Sequence, residues 1–186
     1  CLLGLRRLLI EPKRFNSYIF LSPLWGNVRS LPRWFQKLLL RYEKTLKRLW
    51  LTKITNQNPK KYKPYSLTVN FKENTLTSDK KQFNRLQAIL RENTELHSGT
   101  PTLGYLIAIL REIKELSFVD LPNSKILVLL AGHEQITDND AALNFIKRHD
   151  FIELEIIKKA QHEILIEKEE IRVEAISLMH TFLKSQ

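Results

Sequence analysis

Apolar positions along the chain recur with two different periods, and the switches between them mark out the elements. Leu2, Leu5 and Leu9 fall at helical spacing over residues 1–11, and Pro12 closes that segment. Tyr18-Ile19-Phe20-Leu21 is a short β-rich apolar run ended by Ser22-Pro23, the pattern of a buried strand. From Leu31 to about Ile54 the spacing is helical again, and Pro32 suits a first helical turn. Trp34, Leu38, Tyr42, Leu46 and Leu49 form one side of it, and Lys37, Arg41, Lys44 and Arg48 form another. Residues 55–78 carry Asn, Lys and Pro without a period and read as an irregular connection, whereas Asp79 to Glu95 and Thr102 to Leu116 are helical. Ile126-Leu127-Val128-Leu129-Leu130 is a continuous apolar run between Asn123-Ser124 and Gly132, as expected of a strand covered on both faces. Ala141 to Arg148 reads as a short helix, Phe151 to Ile157 as a strand, and Glu163 to Leu183 as an amphipathic helix.

Strands separated by helices predict an α/β class with a parallel sheet, interrupted between its first two strands by a long helical insertion. At 186 residues one domain is expected. With 43% hydrophobic residues, few Gly and Pro and no repeat, the composition fits neither disorder nor a solenoid. The longest apolar runs fall far short of the roughly 20 residues a membrane-spanning helix needs. Charges follow the apolar stretch at the start, the reverse of a signal peptide. Cys1 is the only cysteine, which leaves no disulfide framework or thiolate metal cluster and points to a reducing, cytoplasmic compartment.

The net charge of +10 is concentrated in the first third of the chain. Through Lys63 there are 15 Lys and Arg against only Glu11 and Glu43, while the remainder holds 15 basic and 18 acidic residues. Lys37, Arg41, Lys44 and Arg48 therefore make a candidate surface for an anionic bilayer, such as the inner membrane. An ordinary solvated helix face is the competing reading. Scattered Lys and Arg without a recognition motif give no support to nucleic acid as a partner.

Two loops leave the ends of expected strands, where open α/β sheets place their reacting groups. Ala131 to Asn139 carries Glu134 and Asp138, and Lys159 to Glu163 carries His162. An acid after one strand and a histidine after the next is the tail of the order Ser, acid, His used by α/β-hydrolases. On residue type alone His162 also fits a surface or capping residue, and Glu134, Asp138 and Asp140 fit solvated positions or helix caps. His133, His149 and His162 have no metal-ligand spacing.

Leu-Ala-Gly-His-Glu-Gln-Ile-Thr-Asp-Asn (130–139) and Ala-Gln-His-Glu-Ile-Leu-Ile-Glu-Lys-Glu-Glu-Ile-Arg (160–172) resemble the acid and histidine motifs of bacterial lysophospholipases and monoacylglycerol lipases. Phe20-Leu21-Ser22-Pro23 is similar to the strand before that family's cap, and Pro32-Arg33-Trp34 to the cap's start. Asn74 to Asp79 and Gly99 to Tyr105 resemble further cap segments, so the resemblance covers nearly the whole chain.

It implies the C-terminal part of an α/β-hydrolase: residues 1–24 following the nucleophile elbow, 25–118 a helical cap, and 119–186 the last part of the core. His162 would be the triad histidine and Glu134 its acid, with Asp138 the alternative. Lipid esters are the implied substrates, with no cofactor or metal, although related serine aminopeptidases share these motifs. No Gly-x-Ser-x-Gly elbow occurs in the sequence. The resemblance therefore implies a serine a few residues upstream of Cys1 and an isolated chain that is inactive. A catalytically dead fragment or a basic membrane-associated module is the alternative.

Overall fold

The structure is a computed structural model that describes residues 1–26, 31–53, 63–97 and 101–185. Helix α1 (Leu2–Ile10) leads into strand β1 (Ser17–Leu21). An insertion follows: α2 (Arg33–Arg41), α3 (Glu43–Arg48), a 3₁₀ turn Leu51–Lys53, α4 (Tyr65–Thr68), α5 (Lys80–Glu92), a 3₁₀ turn Thr94–Leu96 and α6 (Leu103–Leu116). The chain then returns to β2 (Lys125–Ala131), α7 (Asn139–Ile146), β3 (Ile152–Ile157), a 3₁₀ turn Ile164–Ile166 and α8 (Glu169–Lys184).

The three strands form a parallel sheet in the order β1-β2-β3, with Ile19 opposite Leu127 and Val128 opposite Leu154. Because β2 is central and alternate residues point to opposite faces, its run needs no polar positions. Ile126, Val128 and Leu130 pack on one face with Tyr18, Phe20, Leu5 and Leu8 of α1, and Phe145 of α7. Leu127, Leu129 and Ala131 pack on the other with Ile171, Ala175 and Phe182 of α8. Burying each such aliphatic side chain contributes on the order of 2 kcal/mol, so the two-sided core anchors the strand ends. This is the parallel α/β sheet expected from the sequence, with helices on both faces.

The insertion has its own small core, in which Leu39 of α2 meets Ile107 and Leu110 of α6. Its last helix is fastened to the sheet side: Leu116 enters the core beneath β1 and β2, and Arg6 of α1 forks onto Glu112 at 2.7 and 2.8 Å. A further 2.7 Å bond joins Arg6 to Glu115.

Several sequence expectations need correction. The helix expected from Leu31 to about Ile54 is broken at Tyr42 (φ −100°, ψ 13°), and Ile54 lies outside the described residues. The physical reason is tertiary: Glu43, first in α3, is held by Arg111 of α6 at 2.7 Å and by Lys47 at 2.5 Å. Trp50 ends α3 in the left-handed region (φ 59°) without being glycine. Pro32 is the N-cap rather than part of the first turn. The buried face of α2 is made by Phe35, Gln36, Leu39 and Leu40, whereas Trp34, Leu38 and Tyr42 are exposed.

The stretch expected to be irregular contains α4, and its residues 55–62 lie outside the described set. Gly99 and Thr100 of the cap resemblance lie outside it as well. The last helix starts at Glu169, not Glu163, because a 3₁₀ turn and an extended Glu167 intervene.

Candidate functional site

The acid loop and the histidine loop begin as a continuation of the sheet. Beyond the last paired residues, Ala131 and Ile157, Gly132 N–H donates to Ile157 O at 2.9 Å and His133 N–H to Ala160 O at 2.9 Å. A Cβ at position 132 would sit 2.3 Å from Lys158 O, so only glycine lets the two backbones approach this closely.

Glu134 is buried, and its carboxylate is fully directed. Oε1 accepts the Ile136 and Thr137 N–H groups at 2.7 and 3.1 Å, and Oε2 accepts from His162 Nδ1 at 2.8 Å. The carboxylate side chain is 1% exposed and the imidazole 20%, so one end of the pair is enclosed and the other opens to solvent. Burial works against ionisation of Glu134, but the bonds from His162 and the two backbone amides outweigh it and hold its pKa down at about 2. Burial likewise lowers the His162 pKa, and the Glu134 hydrogen bond, with the Glu134 and Glu163 charges, more than reverses this and raises it. With Nδ1 committed to Glu134, His162 can exchange a proton through Nε2, which makes no hydrogen bond among the described residues.

The structure brings only some of the sequence candidates together. Asp138 accepts from Ala141 N–H at 3.1 Å and caps α7. His133 is exposed, and Asp140, the other acid considered, lies in the first turn of α7. His149 is buried, taking Leu121 N–H on Nε2 at 3.1 Å and giving Nδ1 to Phe145 O at 3.0 Å, a structural role. Among the described residues no three metal-ligating side chains converge. Lys37, Arg41, Lys44 and Arg48 are all exposed, far in sequence from the pair, and no described helix is long and apolar enough to cross a membrane.

Two features escaped sequence reasoning. Ser22, where β1 turns into the insertion, has a positive φ of 41° and a buried hydroxyl without a partner among the described residues; its Ser-Pro context read only as a strand end. Glu167 is completely buried, although the sequence places it only as one polar position of an amphipathic helix from Glu163 to Leu183.

No protein-family model matches the chain. It is 31% identical over 115 residues to a probable lysophospholipase L2 of Haemophilus influenzae, an alignment covering 61% of this chain and 36% of that protein. The chain thus spans about a third of that relative's length. A monoacylglycerol lipase of Paleococcus ferrophilus superposes on all of the chain and 65% of its own, with a TM-score of 0.70 at 14% identity. A soluble variant of the Saccharomyces cerevisiae monoglyceride lipase, solved with a substrate analogue, superposes on 99% of the chain and 58% of its own, with a TM-score of 0.68 at 14% identity. The chain therefore shares the α/β-hydrolase fold of these two lipase structures and is similar in sequence to a probable lysophospholipase.

Proposed function

We propose that the protein hydrolyses carboxylic esters of lipids, lysophospholipids or monoacylglycerols, through a Ser-acid-His triad in which this chain supplies Glu134 and His162. The 2.8 Å contact between Glu134 Oε2 and His162 Nδ1, at the ends of adjacent parallel strands, is the observation that carries this reading.

In the proposed chemistry Glu134 holds the imidazole with its proton on Nδ1, which leaves Nε2 free to accept a proton from a serine hydroxyl. The serine oxygen attacks the ester carbonyl, and His162 passes that proton to the departing alcohol as the acyl-enzyme forms. Water, deprotonated by the same imidazole, then releases the fatty acid and restores the serine. The nucleophile belongs to a Gly-x-Ser-x-Gly elbow encoded upstream of Cys1, and the isolated chain is inactive. Residues 25–118 act as the cap over the acyl site, between a first core segment (1–24) and a second (119–186).

A second reading concerns the cap's outer face. Trp34, Leu38, Tyr42, Leu49 and Trp50 are exposed beside Lys37, Arg41, Lys44 and Arg48, a mixture of aromatic anchors and cations that suits the headgroup region of an anionic bilayer. Each such cation near the surface contributes about 1 kcal/mol.

The test begins with the reading frame upstream of the Cys1 codon and continues with the full-length product. An in-frame strand followed by Gly-x-Ser-x-Gly, with release of fatty acid from lysophosphatidylcholine or monooleoylglycerol that His162→Ala abolishes, is the expected result. A stop codon or unrelated sequence there would sink the proposal in favour of a fragment without catalysis.

A further inference from the structure

The loop that carries His162 is held from both sides, and one of the two holds belongs to the insertion. Gln161 N–H, just before the histidine, donates to Glu167 Oε1 at 2.8 Å. Glu163 N–H, just after it, donates to Leu76 O at 2.8 Å. Glu167 is 0% exposed and also accepts Ser78 N–H at 3.0 Å, the Ser78 hydroxyl at 2.6 Å and Lys168 N–H at 3.2 Å. Four donors match the roughly four acceptor sites of a carboxylate. Thr77 Oγ1 adds a bond to Ile166 O at 2.8 Å.

The insertion's partner segment is itself fixed. Asn74 Oδ1 accepts the Leu76 and Thr77 N–H groups, both at 3.0 Å. Thr77 Oγ1 accepts Asp79 N–H at 3.0 Å, and the Asp79 carboxylate caps α5 through Lys81 N–H and Gln82 N–H. A continuous series of bonds therefore runs from α5 through Asp79, Thr77 and Ser78 to Glu167, and from Glu167 through the Gln161 peptide to His162 and Glu134.

Burying a carboxylate is costly, and an apolar side chain of similar volume would satisfy packing at this position. What an apolar residue cannot do is bind the Gln161 amide and Ser78 at once. We propose that Glu167 is a positioning residue that fixes the backbone of His162 against the 76–79 segment of the insertion, so that the seat of the cap sets the alignment of His162 with Glu134. The inference rests on the role given to His162 above and adds how that site is held; Glu167 acts through His162 and touches no substrate.

NMR of the imidazole nitrogens in the full-length protein reads this directly. The charges facing His162 are Glu134 and Glu163, and neither is altered. Ser78→Ala removes the 2.6 Å bond without changing any charge, and Glu167→Gln keeps the shape while removing acceptor capacity. Both are expected to lower the His162 titration midpoint toward that of free imidazole and to abolish its slowly exchanging Nδ1 proton resonance. Ser78→Thr, which keeps the hydroxyl, retains both signals. Lowered melting temperatures in Ser78→Ala and Glu167→Gln with an unmoved titration and an intact Nδ1 resonance would overturn the proposal, leaving Glu167 a support of the fold alone. If Glu167→Gln does not fold, Ser78→Ala decides by the same readout. No turnover is measured, so failure of the lipid-ester reading would be seen separately, in the hydrolysis assay.

Discussion

In β2 every side chain from Ile126 to Ala131 is at most 2% exposed, whereas in the first part of the insertion Trp34 is 68% and Trp50 71% exposed. Both stretches are rich in large apolar residues, yet one closes a core on two faces and the other turns its aromatic groups to solvent among lysines and arginines. The sheet region uses burial to place a few polar atoms to within hydrogen-bond tolerance, as at Glu134. The insertion satisfies its small core with Leu39, Ile107 and Leu110 and leaves an outer apolar surface unspent, which is where a lipid-facing role would reside.

Substitutions that act on one region and spare the other sharpen this contrast. The largest effect is expected in the sheet region: on the proposed triad, Glu134→Gln in the full-length protein lowers kcat by about 10⁴-fold, the scale seen when a triad histidine loses its orienting carboxylate. Its pH dependence follows from the two shifts. Glu134, with its pKa held down to about 2, contributes stability that is complete above the ordinary carboxylate range and lost as pH falls toward 2. His162, with its pKa raised, contributes stability that is complete below the ordinary imidazole value and lost as pH rises through its folded value. In the proposed role of general base it works when neutral, so kcat is expected to climb with pH through that raised value, and Glu134→Gln to move the climb to lower pH. An unchanged pH–rate profile in this variant would remove Glu134 from the triad.

A middle-sized effect belongs to the insertion. Charge reversal at Lys37 and Arg41 together is expected to weaken partition onto anionic vesicles at low salt by about 2 kcal/mol or more, while hydrolysis of a short, soluble ester stays unchanged. Unchanged vesicle binding would reduce this face to a solvated helix surface. The smallest effect separates the two acids of one loop: Asp138→Ala removes the α7 cap and costs about 1 kcal/mol of stability in denaturant unfolding, with the His162 titration unmoved.

Legibility in the sequence followed the same division. The run Ile126 to Leu130 and the loops after it were readable because a strand buried on both faces excludes polar residues, and because reacting groups cluster at strand ends. Which acid meets the histidine was not fixed by spacing, since Glu134 and Asp138 share one loop and either type can cap a turn. The break at Tyr42 carries no Pro or Gly signal; it arises from Glu43 pairing with Arg111, 68 residues away. Helix α4 spans only Tyr65–Thr68, too short to show a period. Glu167 was hidden because burial of a charged residue among charged neighbours is decided by a distant partner, here Ser78.

The bonds from Gly132 to Ile157 and from His133 to Ala160 extend the β2–β3 ladder past its last strand pair and into both loops. Acid and base are thus the final rungs of a zipper. They come into register as that parallel pairing, between positions 26 residues apart in sequence, is made. In the native state the same two bonds couple the acid loop to the histidine loop, so loosening one is felt by the other. The persistence of the pair therefore depends on the local stability of two strand ends as well as on the side-chain bonds that hold His162.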